Sequence, residues 1–249
     1  MKKLVLLVLS MVVVLNVLSS CAKKEQGDTL IIFTEKENGV EPFQTRMIVN
    51  KNFLRIDDGN DSNSFVLFDR VKKVVYSTNP DEQRIMAIHE KKLKKGEVFE
   101  PPFKLTHSIK EMSQMKDAPT INGKTAKHYQ LITNDKICYD VVSIKGLMPN
   151  AVKALTEFYS LMATDSIITF NNMPADMHEA CDMTATTFEP TRQYKLGFPI
   201  QEWGKREYSR SLVDFDINYK ADPKLFALPE GYHNYTVQEL REGKVQFEQ

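Results

Sequence analysis

Met173, Met177, His178, Cys181 and Met183 lie close together, and here the chain comes nearest to reactive chemistry. Thioether, imidazole and thiolate are soft ligands that suit Cu(I). Methionine is also a common filler of apolar gaps, and Met112, Met148 and Met162 show that the chain is rich in it elsewhere. The segment reads as a loop flanking a disulfide, with copper binding as its alternative. His178-Glu179 continues as Ala180-Cys181-Asp182, so the second histidine of a zinc H-E-x-x-H helix is missing. His89, His107, His128, His178 and His233 recur at no fixed spacing. Asp57-Asp58-Gly59-Asn60-Asp61 resembles a calcium loop, but it lacks the EF-hand spacing and the distant glutamate. A β-turn accounts for it. The chain holds no G-x-S-x-G, no phosphate-binding loop and no dinucleotide fingerprint. The expectation is a protein that is not an enzyme, with no catalytic residue, no metal ligand set and no cofactor.

Cysteine chemistry points to a compartment. Lys2 and Lys3 precede a run from Leu4 to Leu18 in which 13 of 15 residues are apolar. That run is short of the ~20 residues a spanning helix needs, and it fits the core of a secretory signal. Leu18-Ser19-Ser20-Cys21 follows and resembles the bacterial lipobox. The resemblance implies cleavage of residues 1–20 and acylation, palmitate included, of Cys21. An N-terminal anchor helix that happens to end in cysteine is the alternative. Several acyl chains, at about 0.8 kcal/mol per buried methylene, make such an attachment effectively permanent. Ala22, and not Asp, follows the cysteine, which under the enteric sorting rule sends the protein to the outer membrane, facing the periplasm. Residues 21–28 then form a lipidated cysteine and a tether reaching about 25 Å at most. That places the domain near the headgroups.

Cys138 and Cys181 remain, an even pair in a compartment where disulfides persist. Their 43-residue separation makes a bridge worth about 4 kcal/mol in the chain-entropy model. Two separately buried thiols, or metal ligands, are the alternatives to a disulfide.

The 249 residues carry 33 Lys+Arg against 33 Asp+Glu, and 42% are hydrophobic. That balance excludes a disordered polyelectrolyte, and it lacks the basic excess of a nucleic-acid binder. From Thr29 to Glu90, β-prone segments alternate with turns: Thr29–Glu35, Thr45–Val49, Phe53–Asp57, Ser64–Asp69, Val74–Thr78 and Gln83–His89. Phe65 and Leu67 point to one face of their strand, Val66 and Phe68 to the other. Both faces of this sheet are therefore covered, by a helix, a second sheet or a ligand. Lys91–Glu100 is a charged hairpin loop, with contact to anionic headgroups as its alternative. Asn122-Gly123 and Asn134-Asp135 mark turns around strands at Ala126–Ile132 and Ile137–Ser143. The spacing of Ala151, Val152, Leu155, Phe158, Tyr159 and Met162 predicts an amphipathic helix over 150–165 that caps the sheet. Strands are expected again over Met183–Phe188, Tyr194–Phe198 and Glu207–Tyr219. The folded domain spans 29–235, and 236–249 reads as a C-terminal tail.

The order of these elements resembles a known architecture. Arg46-Met47-Ile48-Val49, Phe53-Leu54-Arg55-Ile56, Phe65-Val66-Leu67-Phe68-Asp69, Val74-Val75-Tyr76 and Asn79-Pro80 are similar to the opening meander of the lipoprotein-carrier (Lol) half-barrels. Gly197-Phe198-Pro199-Ile200 and the run from Pro223 to Tyr232 are similar to an uncharacterised bacterial subfamily of that superfamily. The resemblance implies a mainly antiparallel β (α+β) fold: a strongly curved, unclosed half-barrel sheet with a helical lid. It also implies that acyl chains bind in an apolar concave cavity. The chain lacks an arginine or exposed-leucine motif specific to lipoprotein transfer, so lipoprotein insertion is not implied.

The expected function is a lipid-anchored protein, held in the membrane through Cys21, that binds an acyl chain or lipid. Phe65, Leu67, Leu155, Phe158 and Met162 are the expected lining. A structural or interaction module docking an envelope protein partner is the alternative, and periplasmic copper binding a lesser one.

Overall fold

The computed structural model describes residues 27–60, 63–92, 100–101, 103–113, 118–204 and 207–246. The expected signal segment 1–20, the lipidation site Cys21, most of the tether and the centre of the Lys91–Glu100 loop lie outside the described residues. No helix among the described residues is long and apolar enough to cross a membrane.

The molecule is built on one large curved antiparallel sheet that does not close into a barrel. Its first half is a meander of β1 (Asp28–Lys36), β2 (Phe43–Val49), β3 (Phe53–Asp57), β4 (Val66–Asp69), β5 (Val74–Asn79) and β6 (Arg84–His89). Its second half holds β7 (His107–Glu111), β10 (Lys127–Thr133), β11 (Lys136–Ile144), β12 (Phe198–Gly204) and β13 (Ser209–Tyr219). A short hairpin, β8 (Thr120–Ile121) and β9 (Lys124–Thr125), stands apart from it. A last strand, β14 (His233–Thr236), returns to the first half and lies parallel to β6, while every other pairing is antiparallel. The halves join where β1 pairs with β13, and the order runs β14-β6-β5-β4-β3-β2-β1-β13-β12-β11-β10-β7. Asn122 and Gly123, at φ 51° and 72°, and Asn134 and Asp135, at 48° and 60°, form the two tight hairpin turns. Two consecutive positive φ angles match the right-handed twist of the flanking strands.

The helix α1 (Pro149–Asn171) is longer than the 150–165 its apolar stripe predicts. Met148 turns the chain into it with φ 42°, and Pro149 opens it with its preset φ. Beyond Asp165 the Ser166 and Thr169 hydroxyls donate to the Met162 and Asp165 carbonyls, four residues back. Ala151, Ala154 and Leu155 are buried against Ile31, Met47, Leu54, Phe68 and Val75 on the concave face. Small alanines at the contact let the helix axis approach the strands closely.

The opposite face is covered by a different device. Ile48, Arg55 and Leu67 are cross-strand partners on it and all are buried. To reach β14 at the free edge, the chain leaving β13 must pass six strands, or seven spacings, about 34 Å at ~4.8 Å each. Residues 220–232 make this crossing as an irregular strap interrupted by a 3-10 turn, Pro223–Phe226. Phe226 stacks on Phe53 with ring centroids 5.5 Å apart, and Arg55 Nη1 donates to the Leu225 carbonyl at 2.7 Å. Helix on one side and strap on the other explain why the strands are apolar on both faces.

Two sequence expectations are corrected. Met183–Phe188 is not a strand: α2 (Ala180–Met183) runs into a wide helical turn over Thr184–Phe188. Thr186 Oγ1 donates to the Asp182 carbonyl at 2.8 Å, and Met183 is fully buried beside Phe170. Tyr194 likewise sits in a 3-10 turn, Arg192–Leu196, and the strand begins only at Phe198. Val237–Arg241 forms a capped helix, α3. Thr236 and Glu239 form a reciprocal capping box at its start.

Candidate functional site

Register builds the candidate site. In the β12–β13 hairpin Glu202 lies directly opposite Arg210, and Val141 on β11 lies opposite Glu202. Directly paired residues share a face, so Arg210, Glu202 and Val141 form one row on the concave side. Leu131 and Tyr139, paired across β10 and β11, stand beside that row. Gly204 makes room for Tyr139, since a β-carbon there would come within 2.7 Å of its ring.

The open side of this floor is walled by Tyr159 from α1 and by the segment 185–194. Gly197, at φ 129°, lets the 3-10 turn run hard against the end of β11. Any side chain there would meet the Ile144 carbonyl at 2.5 Å. The Cys138–Cys181 disulfide, with α-carbons 5.4 Å apart, ties the start of the wall to β11. Between floor and wall is a cavity of about 200 Å³, open to solvent at one end.

Its polar groups are unusual for so small a space. Arg210 is buried and pairs with Glu202, and its guanidinium lies over the Phe33 ring, 4.6 Å from the centroid. Burial works against the Arg210 charge, but Glu202 and the surrounding tyrosines outweigh it and hold the group protonated. Burial also pushes the Tyr194 and Tyr208 phenols up, with Tyr159 and Glu202 adding to it, so both stay neutral donors. Arg192 is buried and donates through Nη1 to Thr133 Oγ1 at 3.2 Å and the Ile132 carbonyl at 3.3 Å. Arg192 Nη2, Arg210 Nε and Tyr194 Oη have no well-formed hydrogen bond.

The expected lining residues do not gather here. Leu155 is in the core, and Phe158 and Met162 pack against it from α1. Phe68, and not Phe65, meets Phe158, with centroids 6.0 Å apart. Phe65 lies on the strap side under Arg55, whose Cζ is 3.8 Å from the ring centroid, and Leu67 shares that side. The facing is thus displaced by one residue, with Val66 and Phe68 toward the helix. Stacking of Tyr159 on Tyr194, at 5.7 Å, carries the aromatic contacts from Phe158 to the cavity. Arg192, Tyr194, Glu202 and Arg210 were not among the expected site residues. The Glu202–Arg210 opposition is set by the register of the β12–β13 pair, but nothing in the pattern places Arg192 beside it.

The soft-ligand segment is dispersed. Cys181 is bridged to Cys138, Met183 is in the interior and Met177 is exposed. A second cavity, about 230 Å³, lies where α1, α3 and the β6 edge meet, with Ile168 and Val237 in its lining.

The chain matches no protein-family model and no curated protein. Among solved structures, an uncharacterized conserved protein from Thermus thermophilus is similar at 7% identity and TM-score 0.43, over 86% of this chain and 93% of that one. PNGF-II matches at 10% identity and TM-score 0.41, over 87% of this chain and 32% of its own. MucB matches at 7% identity and TM-score 0.35, over 84% and 60%. These likenesses assign no family.

Proposed function

We propose that this is a non-enzymatic, lipid-anchored protein of the bacterial outer membrane that holds the end of a hydrophobic ligand, an acyl chain or lipid, on the concave face of its half-barrel. The observation that carries the reading is the open cavity between Tyr159, Leu131 and Val141. An engineered apolar cavity of about 150 Å³ holds a benzene molecule. A cavity of about 200 Å³ therefore takes a headgroup and a few carbons, the rest of the ligand leaving by the mouth. The lipobox-like Leu18-Ser19-Ser20-Cys21 supports the anchor and the periplasmic side. Native mass spectrometry of the full protein from its own envelope tests the reading. A non-covalent adduct extractable into organic solvent is expected. A bare mass, with no saturable binding of a fluorescent fatty acid, would overturn it.

A second reading has its own observation. β7 ends the sheet, and all five of its residues, His107–Glu111, are exposed. An open edge can add a strand from another protein, as an envelope interaction module would. In-cell crosslinking from Ile109 that traps a protein and no lipid would favour it.

A further inference from the structure

The cavity beside Tyr159 carries more positive charge than it neutralises. Glu202 balances Arg210. Arg192 has only neutral acceptors, Thr133 Oγ1 and the Ile132 carbonyl, although only 3% of it is exposed. Glu189 acts on it from a distance, but accepts a hydrogen bond from Lys195 at 2.7 Å and faces His107 at 3.5 Å. One Glu202 against two arginines leaves a net charge of one. Burying a cation without a counter-ion is costly; Arg192 lines the cavity, and its donor Nη2 is buried without a hydrogen-bond partner. Tyr194 and Arg210 belong to the same lining, where the Tyr194 hydroxyl lies beside the Arg210 guanidinium.

We infer that the cavity is a seat for a single monoanionic group, a carboxylate at the end of an amphiphile, held by Arg192 with Tyr194 and Arg210. Leu131, Val141 and Tyr159 accept the first carbons of its chain. A guanidinium edge and a phenol hydroxyl suit a planar carboxylate, since both donate and an ionised carboxylate only accepts. The unpaired charge sets the stoichiometry at one anion. This rests on the reading of a hydrophobic ligand on the concave face, and deepens it by naming the ligand's charged end.

Calorimetric titration of the full protein with dodecanoate, its methyl ester and inorganic phosphate tests the inference. Dodecanoate is expected to bind at least tenfold more tightly than the ester, and phosphate weakly. Arg192→Met should bring dodecanoate down to the ester's affinity. It should also raise the thermal midpoint of the ligand-free protein, because an uncompensated charge is gone. Tyr194→Phe keeps the ring and removes the hydroxyl beside Arg210, and should weaken dodecanoate severalfold without touching the ester. Equal binding of dodecanoate and ester by the wild type would overturn the anion seat and leave the hydrophobic-ligand reading standing. Phosphate binding as tightly as dodecanoate would overturn the amphiphile in favour of a free anion. No binding of dodecanoate or ester to folded protein would overturn both readings.

Discussion

Arg70, in the turn after β4, donates through Nε to Glu157 on α1 at 2.8 Å. Its Nη1 reaches the Asn50 carbonyl at 2.6 Å and Asn150 Oδ1 at 3.1 Å. At the other end of the helix Arg241 holds Asp165 with two bonds of 2.7 and 2.9 Å. The plug is therefore fastened to the sheet at one end and to the C-terminal helix at the other. It is a fixture of the fold, and any ligand must enter beside it rather than displace it.

Arg70→Ala should lower stability by about 1–2 kcal/mol by removing its bonds to Glu157, Asn50 and Asn150, and Glu157→Ala by about 1 kcal/mol, since Arg70 keeps its two neutral acceptors. The double variant should fall short of the sum, since one interaction is lost twice. Urea denaturation of the four proteins checks this. Additive losses would show that the pair does not fasten the helix.

Most strands were legible because β-prone runs bounded by turn residues, the Asn-Gly and Asn-Asp pairs among them, are local signals. The strap was not, since an irregular crossing has no periodicity, and the same sequence would serve as a free tail. Thr184-Ala185-Thr186-Thr187 has strand-forming composition, yet the disulfide at Cys181 and the burial of Met183 hold it helical. The candidate site was least legible. Glu202 and Arg210 are brought together by a hairpin, but Arg192 reaches the cavity only through the irregular wall after that helical turn.

That wall depends on the Cys138–Cys181 bridge. Changing both residues to serine should cost about 2–4 kcal/mol, as for a loop of this size. Loss of hydrogen-exchange protection should concentrate in residues 180–194 and spare β1–β6. Uniform loss across the sheet would mean that the bridge supports the whole fold and not the wall.

Phe226 seats the strap on Phe53. Phe226→Ala should cost about 1–2 kcal/mol through the lost ring pair and exposed surface. Exchange should rise at Ala221, whose N–H donates to Asp28 Oδ2 at 3.1 Å, and at His233, whose N–H donates to the Gln83 carbonyl at 2.8 Å. Unchanged exchange at both ends would show that the strap is held elsewhere.

Asp57 sets a pH dependence. It accepts from Arg46 Nε at 2.7 Å, Arg46 Nη2 at 3.0 Å, Arg55 Nε at 2.5 Å and the Gly59 N–H at 3.0 Å. Burial pushes its carboxyl up, but the bonds from Arg46, Arg55 and Gly59 together outweigh burial and hold it below the usual range. The unfolded aspartate titrates at about 3.9, so on acidification the unfolded chain takes up this proton first. The stability Asp57 contributes is complete above the unfolded value and is lost as pH falls through the lower folded value. Asp57→Asn should be less stable than the wild type at neutral pH by about 2–3 kcal/mol. Its stability should fall less steeply below about pH 4, so that the two curves converge in acid. Urea midpoints measured at stepped pH decide it, and parallel curves would remove Asp57 as the group that governs acid unfolding.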